Sequence, residues 1–201
     1  EVLSVKDNFY LFSGTSIGPL GSGLQNKETK ELTPEEIKNF DFDCGKTADT
    51  FDEHKVLQNY KSVKYFDHQG SHWAPHLIHK DLWDKVGGFS EEFNPGDGSD
   101  PDLCCKLWFL ENVRIFKCLS KFKVYHFGSV TIRNNKIKKN NGTKLFLLKW
   151  GFNPRFFRKY YLRGDKNHLY VGPLKNPQFS INKIYDLTIN KVKFLYHYLF
   201  N

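Results

Sequence analysis

There is no methionine among the 201 residues, not even at position 1. Glu1 is therefore expected not to be a natural start, and the chain to be processed or part of a longer one. Cysteine is scarce. The four present, Cys44, Cys104, Cys105 and Cys118, lack metal-finger spacing and are expected to be reduced and structural, as in a cytosolic protein. No apolar run reaches the length of a membrane span, and no signal peptide is visible. A cytoplasmic protein is expected, with a peripheral position on the inner face of a membrane left open. The glycine-rich stretch Gly18 to Gly23 lacks the spacing of a phosphate-binding loop. Acidic residues nearly vanish in the last third. Up to Ile132 there are 15 Lys+Arg against 20 Asp+Glu, a net charge of −5. From Arg133 onward there are 15 against 2, a net charge of +13. Such a tail fits an anionic neighbour, such as lipid headgroups or a phosphorylated acceptor, or simply a solvated lysine-rich surface. No nucleic-acid motif accompanies it, so no nucleic-acid partner is expected.

What is present is a body long enough for one sizeable core and rich in aromatics, at 16% with 19 Phe. Asn8 to Ile17 (NFYLFSGTSI) reads as a strand that ends in small residues. Thr33-Pro34-Glu35-Glu36 signals a helix start. Ser62 to Phe66, Asn112 to Lys117 and Lys121 to Ser129 read as further strands. The loop after Gly70 holds Trp73 between His72 and His76, either to stack on a sugar ring or to fill the core. His72, His76 and His79 read as scattered solvated histidines rather than a metal site. Asp41-Phe42-Asp43 has the Asp-x-Asp form of a nucleotide-sugar metal site, but it follows a charged helix start and is read as a decoy. The mixture predicts an α/β fold.

The stretch from Lys80 to Trp108, KDLWDKVGGFSEEFNPGDGSDPDLCCKLW, organises the rest. Leu82, Trp83 and Val86 give a short helix an apolar side, and Gly87-Gly88 supplies its left-handed stop. Asp97 to Asp100 form an acidic turn. Ser99 or Asp100 suits an N-cap and Pro101 the first helical position, with Leu103, Leu107 and Leu110 on one buried side. A carboxylate is thus fixed at a rigid helix start, a fitting seat for a general base.

GGFSEEF followed by GSDPDL resembles the acceptor-side motif of inverting glycosyltransferases of the family 2 type, which have the GT-A fold. The first member of the usual acidic pair is Ser99 here. The resemblance implies that Asp100 deprotonates the acceptor hydroxyl. It also implies that Trp73, Gly88, Phe89, Glu92, Ser99 and Asp102 shape the acceptor site. Ser13 and Gly14, at the end of a strand like the one after the donor-binding half, would line the donor pocket. VYHFGS adds to the likeness and makes His126 a ligand of a divalent metal, Mn²⁺ or Mg²⁺. A half-buried strand histidine bonded to backbone is the alternative.

The likeness covers roughly residues 8 to 163 and implies an incomplete GT-A-like domain, a mixed sheet flanked by helices. Residues 1–132 would be its acceptor-side half, and 133–201 a basic, aromatic C-terminal loop with helices. The nucleotide-base pocket and a genuine Asp-x-Asp are not found. The implied reaction moves a sugar, with inversion, from a nucleotide-sugar donor to a hydroxyl of a glycan or lipid-linked acceptor. The alternative is a non-catalytic carbohydrate- or polyanion-binding module. Asn141-Gly142-Thr143 is a formal glycosylation sequon. Ile181, Ile184, Tyr185, Thr188, Val192, Leu195 and Leu199 mark an amphipathic basic C-terminal helix. It would lie on an anionic membrane surface, on the body, or on a second copy in a homo-oligomer.

Overall fold

A computed structural model describes residues 9–18, 44–62, 66–70, 72–95, 97–127, 140–164 and 169–200. The expected helix after Thr33, the Asp41-Phe42-Asp43 tract and most of the Arg133 loop lie outside these residues. The fold is α/β, with a four-stranded mixed open sheet flanked by helices and ordered β2-β4-β1-β3. Strand β1 is Tyr10–Ile17, β2 is His68–Gln69, β3 is His76–Ile78 and β4 is Ile115–Tyr125. All eight residues of β1 are buried, which suits its aromatic and β-branched run to an interior position. It pairs antiparallel with β3 in the register Leu11↔Ile78, Phe12↔Leu77 and Ser13↔His76.

Helices α1 (Glu53–Asn59), α2 (Lys80–Val86), α3 (Ser99–Leu110), α4 (Gly142–Trp150), α5 (Pro154–Phe157) and α6 (Ile181–Leu199) complete the elements. The expected α2 forms, and Gly87 closes it in the left-handed conformation at φ 69°. His79 is not a scattered solvated histidine. Its ring accepts the Asp81 amide at the helix start. Helix α3 begins two residues before Pro101, the expected first position. Gly98, at φ 118°, is the N-cap, so Pro101 sits at the third helical position, where its missing N–H still costs no helical bond. Leu103, Leu107 and Trp108 are buried, but Leu110 is 63% exposed. The side that packs instead runs through Cys104 and Cys105, so α3 is buried around most of its circumference. The two strands expected between Asn112 and Ser129 are one, β4. The Asp67 carboxylate accepts both the Ser120 amide and its hydroxyl, which carries β4 through the expected break.

Two compact units interleave along the chain. One comprises Glu1–Ser13, Gln69–Lys117 and Lys138–Asn201. Its core joins Leu11, Leu82, Val86, Phe93, Leu103, Leu107, Phe116 and Phe146, with an aromatic lattice of Trp108, Phe152, Phe156 and Phe157. The Arg114 guanidinium lies 4.0 Å from the centre of the Trp108 ring. Asn153 caps α5 with Pro154 at its first position, and the helix continues as a π-turn, Arg158–Leu162. The other unit comprises Gly14–His68 and Cys118–Ile137. There the Tyr125 hydroxyl accepts the Cys44 amide and donates to the Gly45 carbonyl. Phe51 packs against Tyr125 and Phe127. All four cysteines are free and buried.

Helix α6 is tied down through one polar face. The Asp186 carboxylate accepts bonds from Lys159 Nζ (2.8 Å) and Tyr160 Oη (2.7 Å). Buried Asn190 accepts the Asn153 amide at 2.8 Å and donates to the Asp186 carbonyl at 2.7 Å. Asn190→Ala strands the Asn153 amide and is expected to cost about 1–3 kcal/mol. Urea unfolding at unchanged slope checks this, and a change within experimental scatter would show that Asn190 does not hold the helix.

Candidate active site

The GGFSEEF loop and the start of α3 border one cleft of about 310 Å³ in the first unit, lined by Phe89, Ser90, Glu91, Phe93, Asn94 and Ser99. Two carboxylates follow Ser99 in the first turn of α3, and their surroundings are opposite.

Asp102 is fully buried. One of its oxygens accepts Ser90 Oγ at 2.6 Å, and the other accepts Trp150 Nε1 at 2.8 Å. Lys149 Nζ lies 2.9 Å from Asp102 and Lys106 Nζ lies 3.7 Å away. The same two lysines bind the loop. Lys106 donates to the Gly88 carbonyl, and Lys149 donates to Ser90 Oγ and to Glu92 at 2.7 Å. Glu92 is held below its ordinary value chiefly by that bond. Burial pulls the Lys149 ammonium down, but its bonds to Glu92 and Asp102 outweigh this, and the net direction is up.

Asp100 is half-buried, and no cation lies within ion-pair distance of it among the described residues. Loss of water, and then the nearby Asp97 charge, raise its carboxyl to about 6. Asp100 is not among the residues that line the cleft, but it directly follows Ser99, which is, and a carboxyl poised near neutrality is suited to proton abstraction.

The glycines set the loop. Gly88 has φ 58°, and a Cβ there would stand 2.6 Å from the Trp83 ring. Phe89, 43% exposed, packs edge-on to Trp83 and 5.8 Å from His76. At Gly142 a Cβ would overlap the Asp97 carbonyl, so α4 starts directly against the acidic turn. Asn141, of the sequon, caps α4 by accepting the Lys144 amide.

No family model, curated protein or solved structure matches this chain. The likeness in GGFSEEF and GSDPDL rests on those residues alone.

Of the acceptor residues expected from sequence, Phe89 and Ser99 line the cleft. Gly88, Glu92 and Asp102 stand behind it as supports, each bonded to Lys106 or Lys149. Trp73 is half-buried, edge-on to His72, and is not among the lining residues. Ser13 is fully buried in β1, its hydroxyl without a hydrogen-bond partner among the described residues, and Gly14 is likewise enclosed. Neither lines the cleft. His76 is half-buried rather than solvated, and burial lowers its pKa.

His126 is exposed just beyond β4, and its amide donates to the Ile17 carbonyl at 2.7 Å. It belongs to the second unit, whereas Asp100 belongs to the first. Among the described residues no three His, Cys, Asp or Glu side chains converge as a metal site. One exposed imidazole does not by itself make a metal site.

Sequence reading missed Ser90, Lys106, Lys149 and Trp150 as the partners of Asp102. Lys106, four residues on along α3, was within reach of helical spacing. Lys149 and Trp150 approach from the far end of α4 and leave no local signal.

Asp102→Ala leaves two lysines and an indole N–H facing an empty buried site. It is expected to cost about 3–5 kcal/mol, read by chemical denaturation. A loss under about 1 kcal/mol would mean that the pair behaves as an exposed one. Gly142→Ala must push the acidic turn off α4, at about 1–3 kcal/mol. By the same measurement an unchanged midpoint would show that the contact yields freely.

Proposed function

We propose that this chain carries the acceptor-side half of a GT-A-like inverting glycosyltransferase, with Asp100 as the general base. The observation that carries the reading is the desolvated Asp100 carboxyl at a helix start, one residue after Ser99, which lines the cleft beside the GGFSEEF loop. The acceptor is a hydroxyl of a glycan or lipid-linked sugar, and the donor is a nucleotide-sugar. The acceptor hydroxyl gives its proton to Asp100 as its oxygen bonds to the anomeric carbon, from which the nucleoside diphosphate departs. Phe89 offers an apolar face to a sugar ring, while Ser90, Asn94 and Ser99 offer hydrogen bonds to its hydroxyls. Ser13 and Gly14 remain the proposed donor-side residues. A Mn²⁺ or Mg²⁺ accompanying the donor diphosphate would find His126 as its one proposed ligand, and the role of Asp100 does not depend on it.

Calorimetric titration with nucleoside diphosphates, with and without Mn²⁺, tests donor binding. Diphosphate release from nucleotide-sugars in the presence of glycan tests transfer. Asp100→Asn is expected to lower that release at least about a hundredfold, with glycan binding nearly unchanged. Near wild-type release by a folded Asp100→Asn protein would end the assignment. Heat from glycans with none from nucleotides would favour the non-catalytic binding module.

The same carboxyl links stability to pH. Its ordinary value is 3.8 and its folded value about 6, so the folded state holds the proton more tightly. Stability from this group is present below about pH 4 and is lost as pH rises through about 6. Asp100→Asn should therefore stabilise the protein above pH 7, by up to about 3 kcal/mol for the full shift, and do little below pH 4. Equal effects at both pH values, in denaturation curves, would show that the carboxyl is not desolvated.

A further inference from the structure

The inner face of α6 is fixed by Asp186, Leu187 and Asn190. Its outer face is the opposite. Ile181, Tyr185, Val192, Leu195, Tyr196 and Leu199 are each more than half exposed, from 53% at Leu195 to 81% at Ile181. With exposed Thr188 filling the place between Tyr185 and Val192, they recur every three or four residues and form one stripe down 19 residues of helix. No acid interrupts the stripe, because the single acid of α6 is Asp186, on the docked side. Tyr198 and Phe200 extend the exposed apolar surface at the helix end.

A continuous apolar face held out by a docked helix marks a contact surface. The charge around it selects the occupant. From Arg133 onward the chain carries 15 Lys+Arg against 2 Asp+Glu. A second copy would bring the same excess, so self-docking would set like charge against like. A bilayer with anionic headgroups is complementary, and Lys191 and Lys193 are exposed on α6 itself. Tyrosine and phenylalanine at the helix end suit the headgroup level, where an aromatic body is buried and a phenol stays wet. Among the described residues no helix is long and apolar enough to cross a membrane, so the helix would lie in the interface plane.

We propose that α6 binds an anionic phospholipid bilayer with its Ile181–Tyr185–Val192–Leu195–Leu199 stripe facing the lipid. The inference does not depend on glycosyl transfer, and its test reads lipid binding alone. The full chain is floated with phosphatidylcholine vesicles, and with vesicles containing about a third phosphatidylglycerol. Binding is expected to the second kind only, and to weaken sharply between about 0.1 M and 0.5 M salt. Leu195→Glu, at an exposed position, should lower it at least about tenfold. Lys193→Gln should lower it about fivefold. Leu57→Glu, on exposed α1, should leave it unchanged, and thermal unfolding confirms that each variant folds. Equal binding to both vesicles, no binding to either, or indifference to Leu195→Glu and Lys193→Gln would overturn the proposal. So would a dimer in sedimentation that Leu195→Glu dissolves while vesicles bind nothing, which would give the stripe to a second copy.

Discussion

The buried Asp102 carboxylate is the constraint on which the first unit turns. A charge with no exposure at all is tolerable only where donors and cations surround it. Here the donors come from three separate pieces of chain. Ser90 belongs to the GGFSEEF loop, Lys106 to α3, and Lys149 and Trp150 to the end of α4. Satisfying one carboxylate therefore fixes the loop, the helix start and α4 together. The aromatic lattice does the same from the other side, because the Trp150 ring stacks on Phe109 at 5.8 Å while its N–H reaches Asp102. Lys149 also lies 5.4 Å from the centre of the Phe93 ring, so its charge is steadied from the cleft wall as well.

Asp100 and Asp102 are separated by one proline and have opposite fates. Position on the helix accounts for it. Two residues along a helix is a rotation of about 200°, so one carboxyl turns into the protein and the other toward the acidic turn. Asp102 meets two ammonium groups, whereas Asp100 meets Asp97 and loses water without gaining a cation among the described residues. An acid held by cations is suited to hold a structure, and a desolvated acid without one to exchange a proton. The proposed chemistry asks for that division of labour.

Much of this was legible from local chemistry. The α2 helix with its glycine stop, the buried β1 strand and the long α6 helix follow from punctuation and period. Phe89 and Ser99 were identified from the motif and do line the cleft. What failed was long-range. β4 continues through Ser120 because Asp67, 53 residues away, bonds it. Leu110 looked buried by spacing, but α3 packs through Cys104 and Cys105 as well, and its last turn runs out into solvent. The partners of Asp102 were missed because nothing near it in sequence announces Lys149 or Trp150.

The tail shows the limit of periodicity from the other direction. Spacing finds an amphipathic α6 but cannot say which side is docked, because two polar residues share the docking with Leu187. Asp186 and Asn190 turn inward with Leu187, bonding Lys159, Tyr160 and the Asn153 amide, and the longer apolar stripe from Ile181 to Leu199 is left outside. For a helix folded only onto its own chain this is inverted, since burying the Ile181 to Leu199 stripe would gain far more than burying an asparagine. The inversion is consistent if the hydrophobic side has another destination. The polar side then fixes the direction in which the stripe points, and the lysine-rich chain that carries it supplies attraction to an anionic surface before apolar contact is made.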